Sequence, residues 1–479
     1  MLYFDEDSDA RFYQFEAGTM TSHDLDEILE NLSRTKVGTY ILGINAQLAN
    51  FRNSVIQCYL DNFDILQGPY QPVLRGDHKH WTYRRRANMA VLEAQGIDSN
   101  EYLLNGARKL GMSVWLDIRM NDMHNAEDEN SQIHTDFWRE HPELRIPGNI
   151  PCENGFDYTH ECVRKMYSDF IVEAAEKYHP DNVVLDWMRW PAHFPRKTGP
   201  ERAHLITEML KGLRDRIGHP VACRVPVTPE SALKLGLDVK SWVENRLISH
   251  LFVGNFGCGS NFDVPVERWR TMVGKLPIVI TLDLGWWKGM KISHGPFSVE
   301  EACGMAAGAY WSGADGIQVF NCMKMLRPLY SSDLLKRGVD QTEQAGLIQK
   351  GRIVFNLIHD PELVNRMPRR VHPGWDDTEV QLGDLDQICR IPGYLEEWLK
   401  THSLPAGILP CDHPAQWRLR TGKAPDHDAF LTTDAEGPVL VNGHETHGPS
   451  PIRIPADWMQ DGFTLVKTNS PVTEMYIDL

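Results

Sequence analysis

Nowhere does this chain string together the roughly 20 apolar residues that a membrane span needs. Its formal charge of −16 leaves no broad basic surface for a phosphate backbone or an anionic membrane. Arg84-Arg85-Arg86 is the only basic run of note, and it reads as a solvated face or an anion clamp. Nucleic acid and membrane are therefore not expected partners, whereas self-association into a homo-oligomer is compatible with the composition. The nine cysteines are odd in number, scattered and without a CxxC pair, so neither a disulfide framework nor a zinc knuckle is indicated. Cys223 and Cys322 lie inside apolar runs, as small hydrophobes do. No leader is visible either: Met1-Leu2-Tyr3-Phe4 meets Asp5, Glu6 and Asp7 at once, and a reducing, cytoplasmic location is expected.

What is present is an alternation of short apolar runs with amphipathic stretches over residues 37–321 of the 479. Strands are expected at Val37–Asn45, Ser54–Tyr59, Met112–Arg119, Asn182–Met188, Pro220–Val225, Leu247–Val253, Pro277–Leu282 and Gly316–Phe320. Helices are expected between them at Asp98–Leu110, Glu161–Tyr178, Pro200–Ile217, Val239–Asn245, Val266–Val273 and Ser298–Ser312. The last begins with a capping box, Ser298 with Glu301 three residues on. The strands are Val/Ile/Leu-rich and lack clean alternation, as parallel strands buried on both faces do. Eight of them separated by helices predict a closed (β/α)8 barrel, and no glycine-rich loop follows the first to support a doubly wound sheet.

Beyond about residue 350 the texture changes to short strands at Trp417–Arg420, Pro438–Val441, Phe463–Thr468 and Val472–Asp478, with a short helix within Gly383–Glu397. Asn442-Gly443 is a hairpin signal. The chain is thus read as a barrel over residues 1–345 and a jelly-roll-like β-sandwich over 346–479.

In such a barrel, chemistry sits at the C-terminal ends of the strands. Those ends carry Asp117, Arg119, Asn121, Asp122 and His124 after the third strand, and Asp186, Trp187, Arg189 and Trp190 after the fourth. They continue with Arg224, Asn255, Asp283 followed by Trp286 and Trp287, and Gln318 with Asn321. Hydrolysis of a glycoside needs two carboxyl groups, one protonated and one ionised. Asp186, Asp283 and Asp122 are the catalytic candidates; Asp186 could instead be a structural partner of Arg189 or Arg224, and Asp283 a loop brace. Asp117, if it faces inward, should be buried against an arginine, while Asp122 should lie further out, within reach of a substrate. Arg119 and Arg224 fit forked binding of a carboxylate, sulfate or hydroxyl-rich ligand, or neutralisation of buried aspartates. Trp187, Trp286 and Trp287 fit stacking on a sugar ring or packing in a core. Asn121, His124, Arg189, Asn255 and Asn321 complete the expected substrate contacts. His124, Asp122, Asp186 and His193 could supply metal ligands, but without an HxH or HExxH pattern no metal or cofactor is expected.

These segments carry a family likeness. Arg119-Met120-Asn121-Asp122 in the third strand and Leu185-Asp186-Trp187-Met188-Arg189-Trp190-Pro191 in the fourth resemble the bacterial family-10-like glycosyl hydrolase barrels. Arg224-Val225-Pro226, Gly236-Leu237-Asp238-Val239, Ala314-Asp315-Gly316-Ile317 and Phe320-Asn321 look similar as well. The stretch from Val439 to Trp458 looks like the lectin-like or galactose-binding-like sandwiches appended to such barrels. The resemblance implies a glycosidase acting on a carbohydrate, an intracellular oligosaccharide ahead of a long polymer. A sugar isomerase, epimerase or lyase on the same fold, and a carbohydrate-binding protein without catalysis, are the alternatives.

Overall fold

The computed structural model describes all residues except 8, 9, 14, 62–77, 125, 127, 128, 148–153, 196, 255–260, 285–296, 321, 323–340 and 375–413. Eight parallel strands close in sequence order into one barrel: β1 (Leu2–Glu6), β2 (Thr39–Gly43), β3 (Ser113–Arg119), β4 (Asn182–Asp186), β5 (Val221–Val225), β6 (His250–Val253), β7 (Ile278–Asp283) and β8 (Gly316–Phe320). The first strand is therefore not the run at Val37–Asn45 but the amino terminus itself, which seals the barrel by pairing with both β2 and β8. Ser54–Tyr59 is not a barrel strand; Cys58 makes one isolated bridge to Ala49. Leu2–Glu6 escapes a hydrophobicity reading because two of its three residues beyond Tyr3 are acidic: Asp5 faces the barrel interior, while Glu6 on the outer face meets Tyr40 and Arg11.

The strands do alternate, and the alternation positions the site. Because successive side chains point to opposite faces, the outward set (Leu2, Phe4, Leu116, Leu185, Cys223, Leu251, Ile280, Val319) packs under the helices in the main core. The inward set forms a separate apolar floor of Tyr3, Ile41, Trp115, Val184, Ala222, Phe252 and Val279. Tyr3, Trp115 and Phe252 meet edge to face there, with ring centroids 5.4–6.0 Å apart. Gly316 completes the floor, since a Cβ there would lie 2.9 Å from the Tyr3 ring. Two residues further along each strand, the inward positions become Asp5, Asp117, Asp186, Arg224, Thr281 and Gln318, all buried. Two further still come Asp7, Arg119 and Asp283.

The surrounding helices follow local signals closely. Glu161–Tyr178 and Val266–Val273 have the expected bounds, and Ser298 with Glu301 forms the expected capping box at Val299–Trp311. Among the described residues no helix is long and apolar enough to cross a membrane.

The C-terminal region forms two four-stranded antiparallel sheets. One has the order β10 (Ala415–Gly422), β15 (Gly462–Thr468), β12 (Val439–Val441), β13 (His444–Thr446). The other has the order β14 (Ile452–Ile454), β11 (Ala429–Thr433), β16 (Met475–Asp478), β9 (Arg370–Val371). Asn442 and Gly443, at φ +49° and +87°, turn the β12–β13 hairpin as their sequence requires. The helix expected within Gly383–Glu397 lies outside the described residues.

These sheets dock on the helix Val299–Trp311. Arg420 binds Asp263 at 2.7 Å and Glu267 at 3.1 Å, while Arg418 also reaches Asp263. Gly304 lets backbone meet backbone, because a Cβ there would stand 2.2 Å from the Arg370 carbonyl oxygen. Replacing a mid-helix glycine by alanine ordinarily stabilises by about 1 kcal/mol. Gly304→Ala is expected instead to destabilise by about 1–3 kcal/mol, the range for overpacked contacts, as read by denaturant unfolding. A gain in stability would show that the helix and the sheets are not in this close contact.

Candidate functional site

The polar rings above the floor hold six carboxyl groups, Asp5, Asp7, Asp117, Asp122, Asp186 and Asp283, and three guanidinium groups, Arg119, Arg189 and Arg224, all buried. Burying a charge is costly unless it is paired and hydrogen-bonded, and the pairing is specific. Asp186, at the end of β4, accepts from Arg224 Nη1 at 2.9 Å through Oδ2 and from the Met188 N–H at 2.8 Å through Oδ1. Adjacent strands impose this pair: Asp186 and Arg224 are register partners of β4 and β5. Arg224 also lies over the Phe320 ring, 4.5 Å from its centroid.

Arg119 binds Asp7 through one nitrogen and Asp122 Oδ2 through the other, the latter at 2.6 Å. Arg189 reaches Asp7 at 3.3 Å rather than Asp186. Asp122 is not an outlying, accessible acid. Its side chain is 0% exposed, with Oδ1 taken by the His124 Nδ1 at 2.7 Å and by the His124 backbone N–H at 3.0 Å. Although burial opposes its charge, His124, Arg119 and Arg189 hold its carboxyl well below the usual range.

Asp5 is the residue that the sequence reading missed. Gln318 Nε2 donates to its Oδ2 at 2.6 Å, and Thr281 Oγ1 locks that amide by donating to Gln318 Oε1 at 2.5 Å. Oδ1 is buried without a hydrogen-bond partner. Burial first, and the neighbouring Asp186 next, push Asp5 up to about 8 against the pull of Arg224, Arg119 and Arg189. Asp117 faces inward as expected but has no arginine at ion-pair distance among the described residues. Its Oδ1 is unpartnered, and burial with Asp5 and Asp186 raises it well above the carboxylate range. The signal in the sequence was the i, i+2 spacing of Tyr3, Asp5 and Asp7, the same pattern as Trp115, Asp117 and Arg119.

The remaining expected residues divide cleanly. Trp187 is fully buried on the outer face, edge-on to Tyr158 and His193, so it is core and cannot stack on a ligand. Asn121 braces the loops by donating to the Phe156 and Ala192 carbonyls and accepting from the Phe156 N–H. His193 donates to the Trp187 carbonyl at 3.0 Å, and burial lowers it to about 3. Arg119 and Arg224 are committed to aspartates, which favours their neutralising role over a clamp on an anionic ligand. Asp283 lies buried at the rim, in register with Phe320. Asn255, Trp286, Trp287 and Asn321 lie outside the described residues.

No protein-family model and no curated protein matches this sequence. Among solved structures, it is similar to the alpha-L-fucosidase isoenzyme 2 from Paenibacillus thiaminolyticus (10% identity, 91% of this chain and 69% of that one, TM-score 0.47). It is also similar to the endo-beta-1,4-mannanase from Thermotoga petrophila (12% identity, 100% and 97%, TM-score 0.42). A third is a maltogenic alpha-amylase from Thermotoga neapolitana (11%, 100% and 99%, TM-score 0.40). The structural neighbours are glycoside hydrolases. The fold itself is established by the strand order of the barrel.

The raised Asp5 has a consequence for stability. An unfolded aspartate titrates near about 3.9, so between about pH 4 and 8 the folded protein holds a proton that the unfolded chain has released. Unfolding free energy then falls as pH rises through that window. Asp5→Asn keeps an acceptor for Gln318 but cannot ionise. It is expected to melt above the parent at pH 8, the difference narrowing towards pH 4 in thermal denaturation. An equal difference at both pH values would contradict a proton held on Asp5.

Proposed function

We propose that this protein is a glycoside hydrolase that works with a pair of carboxyl groups at the C-terminal mouth of its barrel. The observation that carries the reading is the unequal environment of acids in one buried ring. Asp186 is bound by a guanidinium and a backbone N–H, while burial drives its neighbour Asp5 towards the neutral form. Environments that push carboxyl groups apart are what acid and base roles require. In this reading Asp186 supplies the negative charge at the anomeric centre and Asp283, one strand-end position above Thr281, donates the proton to the leaving oxygen. Asp122 drops out as the proton donor, since His124, Arg119 and Arg189 outweigh burial and hold its carboxyl well below the usual range. The likeness of the third- and fourth-strand segments to family-10-like barrels supports an oligosaccharide or glycoside as substrate. We read residues 1–345 as the catalytic unit and 346–479 as its accessory sandwich, with carbohydrate binding as the latter's role.

The test is turnover of a panel of aryl glycosides and oligosaccharides by the parent, Asp186→Asn and Asp283→Asn proteins. Each variant should retain its cooperative melt and lose at least ~10²-fold in rate, the scale of a lost proton donor or nucleophile. Near-normal rates in both would overturn the acid pair.

A further inference from the structure

A groove opens on the polar end of the barrel, between the loops that follow β3 and β4. Its volume is about 460 Å³, within the range of about 300–1,000 Å³ for small-ligand sites. Pro142, Pro147 and Pro195 give it apolar walls, and Asn154, Asp157 and Arg202 are among its polar groups. It reaches His160, the residue before the helix Glu161–Tyr178, and Arg202 in the first turn of the helix Gly199–Ile217. Both helices follow strands whose C-terminal ends face the mouth, so the groove lies on the face where a barrel of this kind binds its ligand. Asn121 ties it to the charge network. Its side chain donates to the Phe156 carbonyl at 3.0 Å and to the Ala192 carbonyl at 2.6 Å, one on each loop, and it is next in sequence to Asp122. The Tyr158 N–H bonds the His193 carbonyl at 2.9 Å, so the two loops are also joined directly.

The polar side chains of the groove have hydrogen-bonding capacity that the described protein does not use. Asp157 is buried, with 6% of its surface exposed. The Thr159 N–H donates to its Oδ1 at 2.8 Å, and no described group bonds Oδ2, which is left to the groove. A carboxyl oxygen placed so deep is costly to leave without a donor. Arg202 is half-buried and makes no hydrogen bond or ion pair with any described group, so its five N–H donors are open. Asp157 and Arg202 therefore share the groove without pairing with each other. Asn154 donates to the Ala126 carbonyl at 3.2 Å, while its Oδ1 has no described donor. Arg145, on the same groove, is by contrast committed: it lies 3.5 Å from the centroid of the Trp138 ring and donates twice to the Trp138 carbonyl, at 2.6 and 2.9 Å.

This set of groups identifies a ligand by its chemistry. Asp157 repels a carboxylate or sulfate, and Arg202 repels an ammonium group. A hydroxyl suits both, since it donates to the aspartate and accepts from the guanidinium. The three prolines offer C–H surface to the apolar face of a ring. We propose that this groove binds a distal glycosyl unit of an oligosaccharide whose scissile bond lies at the barrel mouth, with Asp157 accepting from its hydroxyls and Arg202 donating to them. The inference rests on the glycosidase reading for its ligand class and deepens it by naming a second subsite. Binding energy from such a remote unit is available to the reacting centre, so turnover rises with chain length.

Binding and turnover on the full chain test this. Saturation-transfer NMR and calorimetry with maltotetraose, cellotetraose, mannotetraose and xylotetraose are run on the Asp186→Asn protein, so that the sugar is not consumed. At least one tetrasaccharide should bind more tightly than its monosaccharide. Adding Arg202→Ala or Asp157→Asn should weaken that tetrasaccharide about tenfold, the scale of one hydrogen bond to a charged group. Arg202→Lys, which keeps a donor, should weaken it less. In the active protein, Arg202→Ala should lower kcat/KM for the tetrasaccharide about tenfold relative to that for an aryl monoglycoside. Arg202 bonds no described group, so Arg202→Ala should melt with the parent, which separates lost binding from misfolding. Unchanged tetrasaccharide affinity in both variants would overturn the groove and leave a glycosidase in place. Binding of triglycine that Arg202→Ala abolishes would overturn the ligand class. Turnover of aryl glycosides with no tetrasaccharide bound would also remove the subsite, whereas neither binding nor turnover would take the glycosidase reading with it.

Discussion

Everything at the mouth of this barrel depends on the cost of placing charge inside a closed wall of strands. The pleat turns alternate residues inward, and above an aromatic floor the inward positions are carboxylates and guanidinium groups with little water to solvate them. Six acids share three arginines, so not every acid can be ionised at once. Asp186 and Asp122 receive the arginines and the N–H donors; Asp5 and Asp117 are left to hold protons. The protonation pattern is thus a product of geometry, set by which strand lies next to which.

The same constraint explains why the arginines are poor ligand clamps. Arg224 is register partner to Asp186 and backed by the Phe320 ring, and Arg119 is gripped from two sides by Asp7 and Asp122. Removing Arg224 would take from the buried Asp186 its guanidinium partner, the situation that makes broken buried pairs strongly destabilising, and removing Arg119 would take one partner each from Asp7 and Asp122. Their role is to fix acids in place.

The C-terminal sheets take part in this architecture through the helix Val299–Trp311, which connects the segment after β7 to β8. Arg418 and Arg420 tie them to Asp263, which precedes the helix Val266–Val273, and Gly304 brings the β9 backbone against the helix after β7. The sheets therefore brace the side of the barrel that carries Asp283.

Much of this was legible in the residues alone. Local rules govern caps, turns and apolar runs, so the capping box at Ser298, the hairpin at Asn442-Gly443, seven of the eight barrel strands and the helices between them follow from short windows of sequence. Asp186, Asp283 and Arg224 were legible as strand-end polar residues for the same reason. The first strand was not, because Tyr3-Phe4-Asp5-Glu6 looks too acidic for a buried strand until the barrel closes and supplies Gln318, Arg119 and Arg11 as neighbours for its acids. Nor could sequence say that Trp187 points outward, that Asp122 is sealed between Arg119 and His124, or that Asp5 keeps its proton. Those facts depend on residues distant in the chain brought within a few ångströms, where low polarity makes each neighbour count. The chain by itself determined that a barrel forms and which end of it is polar; only the closed barrel decided which of its acids carry charge.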